Sequence, residues 1–475
     1  MLAILAPIIV FGLVIFVHEL GHFIAAKLTG VYAPRFSIGF GPALLRRRRG
    51  ETEYVLALLP LGGYVRMASR HDAEAAFIEG GNEETGALKP GDAGYDPEAM
   101  IPFGPKPVPE GRWFESKSLG ARLFIMIAGV TMNMILALVA LTYVAAVYGE
   151  PYIATRVVGA VHPPASAPQL SGIQAGDTLI AVNGRSVASW SDVADRILAT
   201  DSGVVSLRTQ RAQVQVPVGR AGQPTAEALL GAIDFYMAPV IGDVATGSPA
   251  IRAGMQPGDT VVSISGAPVS SSSALQERVS ASPGTALPFQ VRRRGRLVAL
   301  SITPDSTTIK DPDNGASRVV GRIGIAFADA TSRRPMSLGS SVRTGAEQTW
   351  RVATSIVNVV HGLITREVSV RTLGGPIAIT RASVAAAKSG LETLLTLIAL
   401  LSVNVAVLNL LPIPILDGGQ ILINVAEAAK GSPFTARTRE YILRFGLVAI
   451  LLIFIMTTFN DVVTGVKDAV ARLFG

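Results

Sequence analysis

The start of the chain constrains its fold most. A charge-free apolar run, Leu2 to Val17, passes directly into His18-Glu19-Leu20-Gly21-His22 and stays largely apolar to about Leu28. About 20 apolar residues in a helix cross a bilayer core, so residues 1–28 are long enough to span. A signal peptide would open on a basic n-region and close on a small-residue cleavage site. Here Met1 is followed directly by Leu-Ala-Ile-Leu, and the segment reads as an uncleaved span. Polar residues inside it need a compensating role, because an ionisable side chain at the bilayer centre costs roughly 2.5–3.5 kcal/mol or more. Positions i and i+4 share a helix face, so the imidazoles of His18 and His22 can meet one metal ion. Glu19 is placed to take a proton from a water activated by that metal.

Three further apolar stretches read as spans: 119–148, 391–416 (interrupted late by Pro412 and Pro414) and 441–459. The charged fraction of 16% is well below the roughly 25% of a soluble domain. Segment 29–118 carries the run Arg46-Arg47-Arg48-Arg49, and the loop between the last two spans carries Lys430, Arg437 and Arg439. The positive-inside rule places both in the cytoplasm. The long region before the third span and the tail 460–475 then lie outside. The net charge of +7 fits a lipid bilayer as partner. No basic segment is interleaved with aromatics, so no nucleic acid is expected. With no cysteine in the chain, any zinc must be held by His, Asp or Glu.

The outer region repeats itself. Ser166, Gly172, Gln174, Gly176, Asp177, Thr178, Gly184 and Val187 recur at one fixed offset as Ser248, Gly254, Gln256, Gly258, Asp259, Thr260, Gly266 and Val269. A constant offset through a whole block marks a duplicated domain. Each copy reads Gly-x-x-x-Gly-Asp, then a short apolar strand, then a glycine turn, and the block resembles PDZ domains. They are placed at 150–235 and 236–330. Such domains take an extended peptide at a sheet edge, although the pair could equally act as a steric filter that binds no peptide. Segment 337–390 carries Trp350, Val352, Ile356, Val357, Val360, Leu363 and Ile364 at helical spacing, as in a helix lying along the membrane surface; packing on the PDZ-like pair is the alternative.

A catalytic zinc takes three protein ligands and keeps one open position. His71, His162 and His361 lie in loops or the outer region and read as ordinary surface histidines. The better candidate is Asp417, in Asn409-Leu-Leu-Pro-Ile-Pro-Ile-Leu-Asp417-Gly418-Gly419. Pro412 and Pro414 lack N–H groups and break the helix. Broken backbone at membrane depth survives only where protein or a water-filled cavity satisfies it. An acidic residue at such a break can turn toward His18 and His22. Within 29–118, Phe36–Leu45 and Glu53–Val65 are strand-like and Arg46–Gly50 reads as a polar turn, giving a hairpin that must be shielded or line the cavity. Its edge could pair with an unwound substrate. Residues 69–110 read as a polar Gly/Pro-rich insertion.

His-Glu-Leu-Gly-His in the first span, Asn-Leu-Leu-Pro-Ile-Pro-Ile-Leu-Asp-Gly-Gly in the third and a PDZ pair between them resemble the site-2 protease family, in its bacterial branch with four spans and tandem PDZ domains. The resemblance covers nearly the whole chain. It implies a zinc metalloendopeptidase with His18, His22 and Asp417 as metal ligands and Glu19 as catalytic base. It implies a membrane-re-entrant β-loop whose Gly-x-Gly falls on Gly39 and Gly41, and substrate contacts by Asn404 and Asn409. It further implies a bacterial inner-membrane enzyme. Its substrates would be single-span membrane proteins already cut outside the membrane, of the anti-sigma factor or remnant signal peptide type. One departure is local: the family often reads Ala-Gly-Pro-x-x-Asn in the second span, and here it is Ala128-Gly129-Val130-Thr131-Met132-Asn133. The expected fold is thus a polytopic α-helical membrane protein of four transmembrane helices, with a membrane-associated β-hairpin and two extracytoplasmic PDZ-like α+β domains. An ion-coupled transporter would also place Asp and His at broken helices, and an inactive PDZ scaffold is the third class. The first is disfavoured by the absence of an inverted repeat of spans, the second by the intact His-Glu-His and Asp set.

Overall fold

The computed structural model describes residues 2–69, 88, 90–92, 94–220, 222–310, 317–369 and 374–474. The chain divides into a unit of residues 1–149 and 335–468 and a second unit built on 150–334. Among the described residues, four helices are long and apolar enough to cross a membrane.

In the first unit, α1 runs Leu2–Leu28 and α2 runs Leu119–Tyr148. They approach closely because both carry glycine at the crossing. A Cβ on Gly21 would lie 2.4 Å from the Ala128 carbonyl oxygen. Small residues at such a crossing let two helix backbones pack directly, the common device where no hydrophobic effect draws helices together. Between these helices, β1 (Arg35–Arg49) and β2 (Thr52–Arg66) pair. The pair is more folded than a plain hairpin. Arg46–Arg49 lie opposite Val55–Thr52, so the arginine run is strand and the turn falls at Gly50-Glu51, where Gly50 has φ +62°. Arg35–Ile38 is paired with Arg66–Gly63 on one side and lies opposite Glu53–Leu56 on the other. Both strands therefore fold back on themselves, β1 through Gly39 and Gly41 (φ +93° and +85°). Gly62 admits the Phe40 ring, which would stand 2.0 Å from a Cβ there. The sheet is fixed to α1 by aromatics: Phe16 and Phe23, seven apart on one helix face, pack edge-on against Phe36 at 5.9 and 5.2 Å. At its base Glu51 accepts from Lys27 (2.6 Å) and Arg112 (2.7 Å).

The rest of this unit is helical: α3 (Leu338–Ile364), α4 (Pro376–Ser389), α5 (Leu391–Asn409), α6 (Asp417–Lys430) and α7 (Ala436–Phe474). The amphipathic segment forms α3, but it packs on the spans. Ala353 is buried with Ala137, Ala140, Leu141, Ala399 and Val403, and a Cβ on Gly345 would come 2.4 Å from Thr142 Oγ1. Its large apolar residues divide: Val352 and Ile356 face this contact, while Trp350 and Ile364 are 69% and 77% exposed. On α7, Asp461 accepts from the backbone N–H of Gly375, Ile377 and Ala378 and so caps α4.

The second unit shows the duplication. Each copy has a four-stranded antiparallel sheet of the same order. The first uses Arg185–Ser186, Leu179–Val182, Gly203–Thr209 and Gln213–Val218; the second uses Ala267–Pro268, Thr260–Ile264, Leu287–Arg293 and Arg296–Ile302. Each has a nine-residue helix capped by serine, Trp190–Leu198 by Ser189 and Ser272–Ser280 by Ser271. The repeated aspartate acts alike in both. Asp177 accepts from the Gln174 N–H and pairs with Arg211 at 2.7 Å; Asp259 accepts from the Gln256 N–H and pairs with Arg293 at 2.7 Å. Beyond the last strand of each sheet the copies diverge: the first adds a helix, Ala226–Gly231, the second a hairpin, Asp305–Lys310 with Ser317–Arg322. The unit is closed by its own ends, Glu150–Ile153 pairing with Thr331–Arg334.

Candidate metal centre

The centre is assembled from α1, α2, α5 and the start of α6. His18 and His22 lie on one face of α1 and are both buried. Asp417 is the first residue of α6, directly after the proline break. Glycines hold it there: a Cβ on Gly418 would lie 2.2 Å from the Leu410 carbonyl oxygen, and one on Gly419 would lie 2.1 Å from that of Ile413. The first turn of α6 is thereby pressed onto the loop that breaks the third span, and Asp417 points at the histidines.

Three atoms converge. His18 Nε2 is 3.2 Å from His22 Nε2, and Asp417 Oδ2 is 3.3 Å from the former and 3.5 Å from the latter. Among the described residues this is the group of His and acidic side chains with metal-ligand spacing. Hydrogen bonding tests whether it suits a cation. His22 Nδ1 donates to the Ile125 carbonyl oxygen at 2.8 Å, so in the neutral ring Nε2 carries a lone pair. Asp417 Oδ2 is buried and accepts no hydrogen bond. Lone pairs pointing at one another in a buried space call for a cation, and two imidazoles with one carboxylate are among the ligand sets of catalytic zinc. Zinc fits these residues.

Other site residues surround the triangle. Gly129 of α2 faces it closely enough that a Cβ would lie 2.4 Å from His22 Nε2. Asn409, the last residue of α5, places Nδ2 3.1 Å from His18 Nε2. Asn404 is half-buried earlier on the same helix. Glu19, half-buried, lies against β2: a Cβ on Gly63 would be 3.3 Å from Glu19 Cγ. The edge segment Gly63–Arg66 therefore starts beside the glutamate, whereas Gly39 and Gly41 occupy the bend of β1. His162 stands beside Asp234 (3.6 Å) in the second unit, His361 is exposed on α3, and His71 lies outside the described residues.

Comparison with known proteins decides the family. A sequence model described as "Peptidase family M50" matches residues 6–453. The chain belongs to peptidase family M50. It is a multi-pass zinc metalloprotease, and His18, His22 and Asp417 form its metal site. Several proteins resemble it over nearly their whole length. The "Regulator of sigma E protease" of Salmonella typhi is 31% identical over 470 residues, covering 96% of this chain and 97% of its own length. The "Regulator of sigma-E protease RseP" of Escherichia coli strain K12 is 30% identical over 476 residues, with coverage of 96% and 97%. A relative in Neisseria meningitidis is 32% identical over 476 residues, with 95% and 97%. Gly129 and Gly63 went unread in the sequence as site residues. Gly129 could have been found from its place four residues before Asn133 on the same helix.

Proposed function

We propose that the chain cuts the membrane-spanning segments of single-span proteins already trimmed outside the bilayer. The anti-sigma factors and remnant signal peptides implied by the family resemblance, and the sigma-E regulation named in the relatives, give the substrate class. The observation that carries this reading is the position of the His-Glu-His set, inside a helix apolar enough to span a membrane and turned toward Asp417. The host membrane is the bacterial inner membrane, with the β-rich unit outside the cytoplasm.

The chemistry follows from the residues. His18, His22 and Asp417 would hold zinc, which would supply Lewis acidity toward the scissile carbonyl and the attacking water. Glu19 takes a proton from that water as its oxygen bonds to the carbonyl carbon. It then gives the proton to the departing amide nitrogen as the C–N bond breaks. A helical peptide bond is shielded by its own hydrogen bonding, so the substrate must be held extended. The sheet edge Gly63–Arg66, beside Glu19, is suited to pair with an unwound strand. Gly39 and Gly41 shape the bend next to it, and Asn404 and Asn409 offer amides to the substrate backbone. The PDZ-like pair, by peptide binding or by bulk, holds back substrates that have not been trimmed.

The test uses purified enzyme in lipid vesicles with a single-span substrate, supplied full-length or trimmed outside the membrane. Chelator-sensitive cleavage of the trimmed form, mapped by mass spectrometry to a bond within the span, is expected. Cleavage mapped outside the span, or insensitive to chelation, contradicts the proposal.

A further inference from the structure

His18 meets two asparagines, and both cannot be donors to it. Asn133 Nδ2 is 3.4 Å from His18 Nδ1, and Asn409 Nδ2 is 3.1 Å from His18 Nε2. A neutral imidazole has one acceptor nitrogen and one N–H. One of the two amides must therefore present its oxygen. The two ends of a carboxamide have the same shape, so hydrogen bonding decides which end faces the ring. Asn133 is 0% exposed, and its Oδ1 is buried without a partner. His18 Nε2 faces Asp417 Oδ2 and His22 Nε2 and must keep its lone pair to bind a metal, so Nδ1 carries the hydrogen, and turning the Asn133 amide brings Oδ1 to it.

We infer that Asn133 is a positioning residue for the metal site: its side-chain oxygen accepts the His18 Nδ1–H and so fixes the tautomer whose Nε2 lone pair faces Asp417 and His22. The assignment rests on His18 being a metal ligand. The two histidines are then held alike, His22 by the Ile125 carbonyl oxygen and His18 by the Asn133 amide oxygen, both groups of α2. Metal-binding histidines depend on such an acceptor behind the ring for orientation and basicity. The second span thus acts on the metal without touching it. Ser402 of α5 steadies the same turn of α2 by donating to the Asn133 carbonyl oxygen at 2.8 Å. Asn409, on the metal-facing nitrogen, gives up its bond to His18 when Nε2 takes a metal, and its amide becomes free for substrate.

The test measures zinc affinity by chelator competition on full-length protein in detergent, without substrate, for wild type, Asn133→Leu and Asn133→Asp. Leucine fills the volume but accepts nothing, and affinity falls about 10- to 100-fold. Aspartate accepts but cannot donate, and holds zinc close to the wild-type level. A residue that only packs predicts the opposite order, since leucine is tolerated and a carboxylate is buried. Wild-type affinity in Asn133→Leu overturns the assignment, as does a folded Asn133→Asp as weak as leucine. Should Asn133→Leu not fold, Asn133→Ala takes its place with the same expected loss, and unchanged affinity there also overturns it. Failure of wild type itself to bind zinc would remove the metal site, a result distinct from any difference among the variants.

Discussion

Asp417 Oδ2 lies 3.3 Å from His18 Nε2, although one residue opens a helix late in the chain and the other sits in its first span. The proline-broken loop and the two glycines after Asp417 make that approach. Two histidines alone leave zinc under-liganded, so Asp417→Ala is expected to lower zinc content and abolish cleavage. Asp417→Asn keeps the shape but replaces a carboxylate by a poorer ligand, and falls between the two. Elemental analysis beside wild type checks this; full zinc with full activity in Asp417→Ala would remove the residue from the site.

Gly129 supplies a second prediction. A methyl group there would stand 2.4 Å from His22 Nε2 and 2.8 Å from His18 Cε1. Both rings must shift, and a displacement near 1 Å at a reacting centre costs on the order of 100-fold in rate. Gly129→Ala should therefore lose about that much activity and bind zinc more weakly, while the purified protein still elutes as folded. Wild-type kinetics would show that the rings have room to move.

The metal centre was legible in the sequence because its parts are local: i and i+4 spacing on one helix, and an acidic residue at a double-proline break. What was not legible depends on how helices rotate against one another. Gly129 and Asn133 stand four apart in α2 and share a face, but their spacing does not say that this face meets the histidines rather than lipid. Segment 337–390 reads as a helix along the membrane surface, or packed on the PDZ-like pair, because its large apolar residues form a broad stripe. The signal that wins is a second stripe of small residues, Ser341, Gly345, Thr349 and Ala353, all buried and spaced by four, the spacing that lets helices pack closely in lipid. The run Arg46–Arg49 read as a turn from its charge, but pairing with Val55–Thr52 makes it strand and leaves Gly50 to reverse the chain.

Excision of the β-rich unit tests substrate filtering. Glu150–Ile153 pairs with Thr331–Arg334, so the chain enters and leaves that unit side by side. Joining Gly149 to Pro335 through a short linker should keep zinc and catalysis and let untrimmed substrates be cut. A shortened enzyme that holds zinc, cuts trimmed substrate and still rejects the untrimmed form would show that the filter lies elsewhere.

The repeated aspartate lock gives a stability prediction. Asp259 is 0% exposed at its side chain and Arg293 is 24% exposed. Burial alone would raise the Asp259 carboxyl; hydrogen bonds from Arg293 and the Gln256 N–H outweigh it and hold the group below its ordinary value. Arg293→Met leaves a buried carboxylate unpaired and should cost about 3 kcal/mol, read as faster hydrogen exchange in Leu287–Arg293. Because the folded value is depressed, the contribution is full above the unfolded-state pKa of about 3.9. It is lost as pH falls through the lower folded value. Unchanged exchange in Arg293→Met at neutral pH would show that the pair contributes little.

The division of labour in the site, with His18, His22 and Asp417 holding the metal and Glu19 moving the proton, is tested most directly by Glu19→Gln. Zinc content and cleavage of a trimmed single-span substrate are measured on the same purified preparation. The variant is predicted to retain zinc at the wild-type level and to lose about 10²- to 10⁴-fold in rate, the usual contribution of a general base. Undiminished cleavage by zinc-loaded Glu19→Gln would contradict that division, and loss of zinc together with activity would make Glu19 part of the metal-holding set instead.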